Sequence, residues 1–429
     1  MQPKLRRSNK TGGGGHWKVI TAVGCLLGAL LLFFVGDRDL TTDYFTDTSL
    51  SVRDFYPSAL TDATTTSQTC LAEGVKSNQE TSTAGINPLQ NSSTATVMAM
   101  ATGYRLEDYQ RFVGSLRKTG YQGHIILVVA PTLPTEIEQY FIEKRVDYKP
   151  VTYVNCSFPL LSEEELKTSH DKELVTCIHP YPSLKHRWAR FPLLRDHLKE
   201  CETCTGPVLI TDMRDTLFQR DPFGPEAPVV TTLQVFQEHP IQRTTHWLVD
   251  WPVKDCKGVQ FDKPMLCSGT TIGTRSAMLE YLRVMHAEMD EWMSDPKCCC
   301  FKTNGDDQSI HNYIFYAGKL DHIAVAVPDR MGLVNTVGVQ GSNIFESHRK
   351  AKTELFQYLN KTEHDAFDAG FDVKDKSKGN WLGLQYGMTD EEGYFINYNG
   401  ERSFVIHQFD RFGPAYMRWV RQNKEKLIG

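Results

Sequence analysis

Gly206-Pro207-Val208-Leu209-Ile210-Thr211-Asp212-Met213-Arg214-Asp215-Thr216-Leu217-Phe218-Gln219-Arg220-Asp221-Pro222-Phe223 is the stretch on which the reading of this chain turns. Behind Gly-Pro, the run Val208, Leu209, Ile210 reads as a short buried strand, and polarity changes at Thr211. Two carboxylates and a guanidinium follow at once. In open α/β sheets ligands collect beyond the carboxyl ends of strands, so acids placed there face a bound molecule rather than the core. Asp221-Pro222 closes the segment, because proline disfavours helix at the residue before it. The plainer reading makes Asp212 a helix cap and puts Asp215 in the first turn of that helix. The flanking segments decide between the two.

Upstream, Ala95–Ala101 is a compact apolar strand ending at Thr102-Gly103-Tyr104. Tyr109, Phe112, Val113 and Leu116 then recur at helical spacing, and Ile125–Ala130 forms a second buried strand before Pro131. Strand, helix and strand in this order predict a parallel, right-handed α/β unit. A helix over 136–144 and a strand over 148–154 continue it. A helix within 180–198 would put Arg187 and Arg190 on one side, where two guanidiniums could clamp a phosphate. A solvated basic face is the alternative.

Downstream, Val229–Phe236 reads as a strand and His246–Trp251 as an aromatic loop or short helix. Met265–Gly273 is a strand of small residues, and Gly269 within it marks close approach of a ligand or another backbone. Ser276–Trp292 is an amphipathic helix with Leu279, Leu282, Met285 and Met289 on its core stripe. Asp306-Asp307-Gln308 opens a further helix, where acids suit the N-terminal dipole. Ser403–Ile406 is a strand that ends in His407. The fold class is α/β: a mixed, mainly parallel sheet flanked by helices.

The N-terminus sets the organisation. Lys4, Arg6, Arg7, Lys10 and Lys18 precede the uncharged apolar run Val19–Gly36, and Asp37, Arg38 and Asp39 follow it. This asymmetry predicts a cytosolic tail over 1–18, a transmembrane signal-anchor over 19–36 and a type II topology. A cleaved signal peptide is the rival, although Phe33-Phe34-Val35-Gly36 lacks the small-x-small pattern of a cleavage site. Residues 37–94, rich in Ser, Thr, Asp and Asn, read as a disordered stem, and 95–429 as the lumenal domain. Of the 11 cysteines Cys25 lies in the span, which leaves ten in an oxidising lumen, where disulfides are the first reading. Cys201-x-x-Cys204 alternatively suggests zinc or thiol exchange, but no second pair at ligand spacing accompanies it. Sequons at Asn91, Asn155 and Asn360 fit the same compartment. The net charge of −5 gives no reason to expect nucleic acid as a partner.

In order and identity these pieces resemble a Golgi-type nucleotide-sugar glycosyltransferase of the GT-A fold, a Rossmann-like sheet, with a pattern close to the glycogenin-like group. The resemblance covers about Ala95 to Asp410. It implies that Tyr104 belongs to the loop holding the base and that Arg190 precedes the acidic strand. The acid motif falls at Asp212 to Asp215, followed by a Ser268-Gly269 strand, a helix opening at Asp307-Gln308 with Asn312 four residues after the Gln, and a late His407. One departure stands out: two residues, Met213 and Arg214, separate the acids, where the family has one. Registering on Asp221-Pro222 makes Asp215 the metal-binding acid and leaves Asp212 for metal, ribose or capping.

The resemblance implies the chemistry. Asp215, His407 and Asp212 would hold Mn²⁺, or Mg²⁺, against the diphosphate of a nucleotide sugar, UDP-sugar favoured. Tyr104, Arg187, Arg190, Asp212, Ser268, Gly269 and Asn312 would contact the donor. Asp307, Gln308 and Arg190 would act at the reacting centre, with Arg190 stabilising the departing diphosphate. Residues 95–235 would form the nucleotide-sugar half and 236–429 the half that receives a glycan or glycoprotein acceptor, with retention at the anomeric carbon as the expectation and inversion, with Asp307 as general base, as the alternative. A non-catalytic sugar- or partner-binding protein on the same fold is the alternative. The expected site of action is the Golgi membrane, with the endoplasmic reticulum as the alternative.

Overall fold

The computed structural model describes residues 92–168, 175–240, 242–299, 307–338 and 388–429. The expected tail, the span at 19–36 and nearly all of the stem lie outside the described residues. Among the described residues, no helix is long and apolar enough to cross a membrane.

The first strand, β1 (Thr96–Ala101), shows why the sheet is central. Its alternate residues Val97, Ala99 and Ala101 pack into one apolar cluster while Met98 packs into another, and all four are buried. A strand covered on both faces needs the continuous apolar run seen in the sequence. One cover is α1, built of Leu106–Tyr109, the π-turn Gln110–Gly114 and Ser115–Lys118, which buries Tyr109, Phe112, Val113 and Leu116 completely. After β2 (His124–Val129), α2 (Thr135–Glu143) and β3 (Asp147–Pro150) the chain leaves the sheet. The strand expected over 148–154 is therefore two. Pro150 lacks the N–H a ladder needs, and β4 (Tyr153–Asn155) pairs instead with β5 (Thr176–Ile178), the two pinned by the Cys156–Cys177 disulfide.

The helix expected within 180–198 is α3 (Arg190–Glu200), so Arg187 precedes it, and the three-residue spacing to Arg190 does not act through a helix face. Cys201 and Cys204, just beyond α3, form a disulfide, which removes them as thiolate ligands. The acidic strand follows as β6 (Val208–Thr211), then β7 (Thr216–Phe218), β8 (Leu233–Gln237), α4 (Trp247–Lys257), β9 (Leu266–Gly273), α5 (Arg275–Ser294), α6 (Asp307–Tyr316) and β10 (Ala324–Val327). The seven-stranded sheet runs β10-β8-β9-β6-β1-β2-β3, with β9 the one strand antiparallel to its neighbours. A second sheet joins β7 to β11 (Val334–Thr336) and β12 (Val405–His407) in the order β11-β12-β7.

Two local devices fix the helices that border the site. Pro252 sits inside α4 and cannot donate to the Leu248 carbonyl, and Ser309 Oγ on α6 donates to that oxygen instead at 2.5 Å. Helices α5 and α6 are joined by a buried pair, Tyr281 and His311, with 2.9 Å between the hydroxyl and Nδ1. Burial, and secondarily the Arg190 charge, push the His311 imidazole down to about 3. The folded state thus keeps His311 neutral, while the unfolded chain takes up a proton below about pH 6.5. This pair is therefore worth most above pH 6.5 and weakens as the pH falls from 6.5 towards 3, by about 1.4 kcal/mol per pH unit at most. In urea unfolding at pH 7 and pH 4.5, His311→Phe is expected to lose about 2–3 kcal/mol less on acidification than the wild type. Equal losses would show that another group carries the acid sensitivity.

Candidate active site

The extra residue between the acids is absorbed by a tight turn. Asp212 leaves β6 with its N–H on the Gly269 carbonyl at 2.8 Å, Met213 turns inward and is buried at 1% exposure, and Arg214 turns out at 58%. The hydroxyls of Thr211 and Thr216, 2.8 Å apart, close the neck of the turn, and Asp215 comes back beside Asp212. The missing partner arrives by register. β7 pairs antiparallel with β12 so that His407 lies opposite Thr216, one residue beyond Asp215. Its Nε2 stands 3.7 Å from Asp212 Oδ2 and 3.6 Å from Asp215 Oδ1. Gln408, next along, holds a positive φ of 62° and donates its N–H to the Asp215 carbonyl at 2.7 Å, tying the two loops together.

These three side chains fit a divalent cation. Their ligand atoms all lie within 4.8 Å of one another. The Nε2 of His407 is buried, 1% of the side chain being exposed, makes no hydrogen bond and faces both acids at ion-pair distance, an arrangement that suits a ligand nitrogen. Cys267 Sγ lies 3.3 Å from Nδ1, where it orients the ring from behind. Gly269 is required by this closeness: a Cβ there would stand 2.4 Å from His407 Cε1 and 2.7 Å from Asp212 Oδ2. Two carboxylates and an imidazole are a donor set for a divalent cation. Burial alone would lower the His407 imidazole, but Cys267, Asp215 and Asp212 outweigh it and hold the ring well above its ordinary range. Burial would raise the Asp212 carboxyl, yet Arg190, then His407, hold it well below the usual carboxylate range.

Arg190 joins this group to α6. Its guanidinium donates to Asp212 Oδ1 and to Asp307 Oδ2, and reaches the Ser268 carbonyl at 3.2 Å. Gln308 is spent on structure: its Oε1 accepts from Ser268 N and Oγ at 2.8 Å each, and its Nε2 donates to Leu266 O at 2.7 Å and Glu238 Oε1 at 3.1 Å. All four hydrogen-bonding sites of that amide are used. Asn312 departs from the expected donor contact. It is fully buried, and its amide holds both backbone groups of Leu266, so it fastens β9 from behind. Arg187 is exposed and lines the cavity beside the acids. Tyr104 is half-buried, and burial raises its hydroxyl, with Asp212 contributing.

The cavity, about 310 Å³, lies against Asp212, Ser268, Gly269, Asp307 and His407, all named from the sequence. Glu238, Gln242, His246, Leu248, Gln408 and Arg411 also line it and were not anticipated. Glu238 carried a readable signal: like Asp212, it is an acid directly beyond the end of a strand. It is buried, which raises its carboxyl, Arg411 and His407 partly offsetting this. Gln408 and Arg411 carried none, because their position depends on the β7–β12 register.

No family model matches this chain, and no curated protein matches it. Among solved structures it is similar to the galactosyltransferase LgtC in complex with donor and acceptor sugar analogues, at 12% identity over 78% of this chain and 95% of that one, with a TM-score of 0.38. It is also similar to the glycosyltransferase GlyE of Streptococcus pneumoniae TIGR4, at 11% identity over 78% of this chain and 64% of that one, with a TM-score of 0.33.

Gly269→Ala is expected to separate His407 from Asp212 and to weaken Mn²⁺ binding at least about 10-fold in calorimetric titration. Unchanged affinity would show that their spacing does not hold the ion. In the wild type, Mn²⁺ affinity is expected to fall as the pH is lowered, since the imidazole must lose its proton to bind. A pH-independent titration between pH 6 and 8 would remove His407 from the ligand set.

Proposed function

We propose that this protein is a metal-dependent glycosyltransferase that moves a sugar from a nucleotide-diphosphate donor, a UDP-sugar first, to a glycan or glycoprotein acceptor. The observation that carries this reading is the convergence of Asp212, Asp215 and the buried Nε2 of His407 at the edge of a cavity lined by Arg187 and Arg411. Asp212, Asp215 and His407 would hold Mn²⁺ or Mg²⁺, which when bound neutralises charge developing on a departing diphosphate. The protein's own groups do the rest. Arg187 and Arg411 supply positive charge to the cavity, where fixed guanidiniums favour an anionic leaving group. Arg190 keeps Asp212 and Asp307 in register, so that Asp307 can orient a sugar hydroxyl at the cavity wall.

The same geometry supports retention. Asp307 is ion-paired to Arg190, and the Gln308 amide is fully engaged, so neither is a ready proton acceptor or nucleophile. Proton removal from the acceptor hydroxyl then falls to a phosphate oxygen of the donor, which suits departure and attack on one face of the sugar. A Golgi location, with residues 19–36 as a type II anchor, is part of the proposal. The Cys156–Cys177 and Cys201–Cys204 disulfides support an oxidising lumen.

The test is release of nucleoside diphosphate from a panel of nucleotide sugars by the purified protein, with and without Mn²⁺. Turnover of at least one donor is expected, abolished by chelation and reduced about 100-fold or more in Asp215→Asn. Binding of donors without turnover under every condition would favour the non-catalytic alternative.

A further inference from the structure

Five tryptophans fall among the described residues, and they divide sharply. Trp188, Trp292 and Trp419 are at most 1% exposed, whereas Trp247 and Trp251 are 64% and 44% exposed. Both exposed rings belong to the first turns of α4, four residues apart and therefore on one face. The opposite face, Val249, Pro252, Val253 and Cys256, is the one buried in the core. This helix also borders the cavity. Its capping residue His246 and its second residue Leu248 line it, and the His246 ring lies 5.5 Å from that of Trp247 at a tilt of 38°. The aromatic track thus begins one ring outside the cavity and runs a helical turn away from it.

We propose that Trp247 and Trp251 form an outer acceptor subsite that stacks the sugar rings of an oligosaccharide whose terminal residue enters the cavity. This rests on the glycosyltransferase reading. The chemistry matches a carbohydrate: flat indoles take the C–H faces of sugar rings, and the exposed Lys254 and Asp255, three and four residues beyond Trp251, offer a donor and an acceptor to hydroxyls. A membrane surface fits less well, because these two flanking charges cancel instead of forming a basic patch. A second copy of the chain fits less well too. The two rings expose on the order of 300 Å², against roughly 800 Å² per partner in a stable interface.

The test uses the full chain and a printed array of mono- to tetrasaccharides, with the donor that releases nucleoside diphosphate as substrate. Trp247→Ala/Trp251→Ala is expected to keep donor hydrolysis within two-fold of wild type and to lose at least ten-fold in transfer to tri- and tetrasaccharides. Transfer to mono- and disaccharides should change less than three-fold, and Trp247→Tyr/Trp251→Tyr should restore most of the loss. Equal transfer by wild type and the alanine variant at every length overturns the subsite. So does a variant whose defect is instead loss of phosphatidylcholine–phosphatidylserine vesicle binding or a change in oligomeric state. If the wild type turns over no donor, the functional reading fails separately, and binding of fluorescently labelled chain to the same array decides the subsite. Retention of wild type but not the alanine variant supports it, and no retention of wild type overturns it.

Discussion

Three carboxylates converge where β6 and β9 meet, and Arg190 is the group that makes this tolerable. Its guanidinium spans Asp212 and Asp307 and touches the Ser268 carbonyl, so one side chain from α3 fixes the end of β6, the start of α6 and the middle of β9 together. The pairing is incomplete in an instructive way. Among the described residues, Asp215 has no guanidinium closer than Arg214 at 3.9 Å and faces His407 at 3.6 Å, while the Asp212, Asp215 and His407 ligand atoms lie within 4.8 Å of one another. Two carboxylates at that separation repel by roughly 3 kcal/mol at an effective dielectric constant of about 20. A divalent cation held by the three side chains would offset that repulsion.

Much of this was legible in the chain, for physical reasons that differ by element. β1, β2 and α1 could be read because strands covered on both faces must be apolar throughout and a packed helix must repeat near 3.6 residues. Gly269 could be read because a missing Cβ in a strand implies something close by, here His407 and Asp212. The equal footing of Asp212 and Asp215 could not. Spacing made Asp212 the doubtful member, yet the Met213-Arg214 turn brings both acids equally near His407. That turn depends on a buried pocket for Met213, which is tertiary information.

Other misreadings share this cause. Arg187 looked like a helical neighbour of Arg190, but α3 begins only at Arg190. Asn312 was a donor contact only by resemblance, and its place one turn after Gln308 aims it at the Leu266 backbone. Gln408 and Arg411 entered the cavity wall through the pairing of β12 with β7, across some 190 residues of sequence, which no local pattern announces.

The central claim is that one buried imidazole and two acids form a single cation site for the diphosphate of a sugar nucleotide. Pulsed electron paramagnetic resonance of Mn²⁺ bound to the protein with UDP tests it most directly. The account predicts a modulation from one histidine nitrogen that disappears in His407→Ala, together with phosphorus coupling from the nucleotide. A bound Mn²⁺ with phosphorus coupling but no nitrogen, or one whose nitrogen signal survives loss of His407, would contradict it.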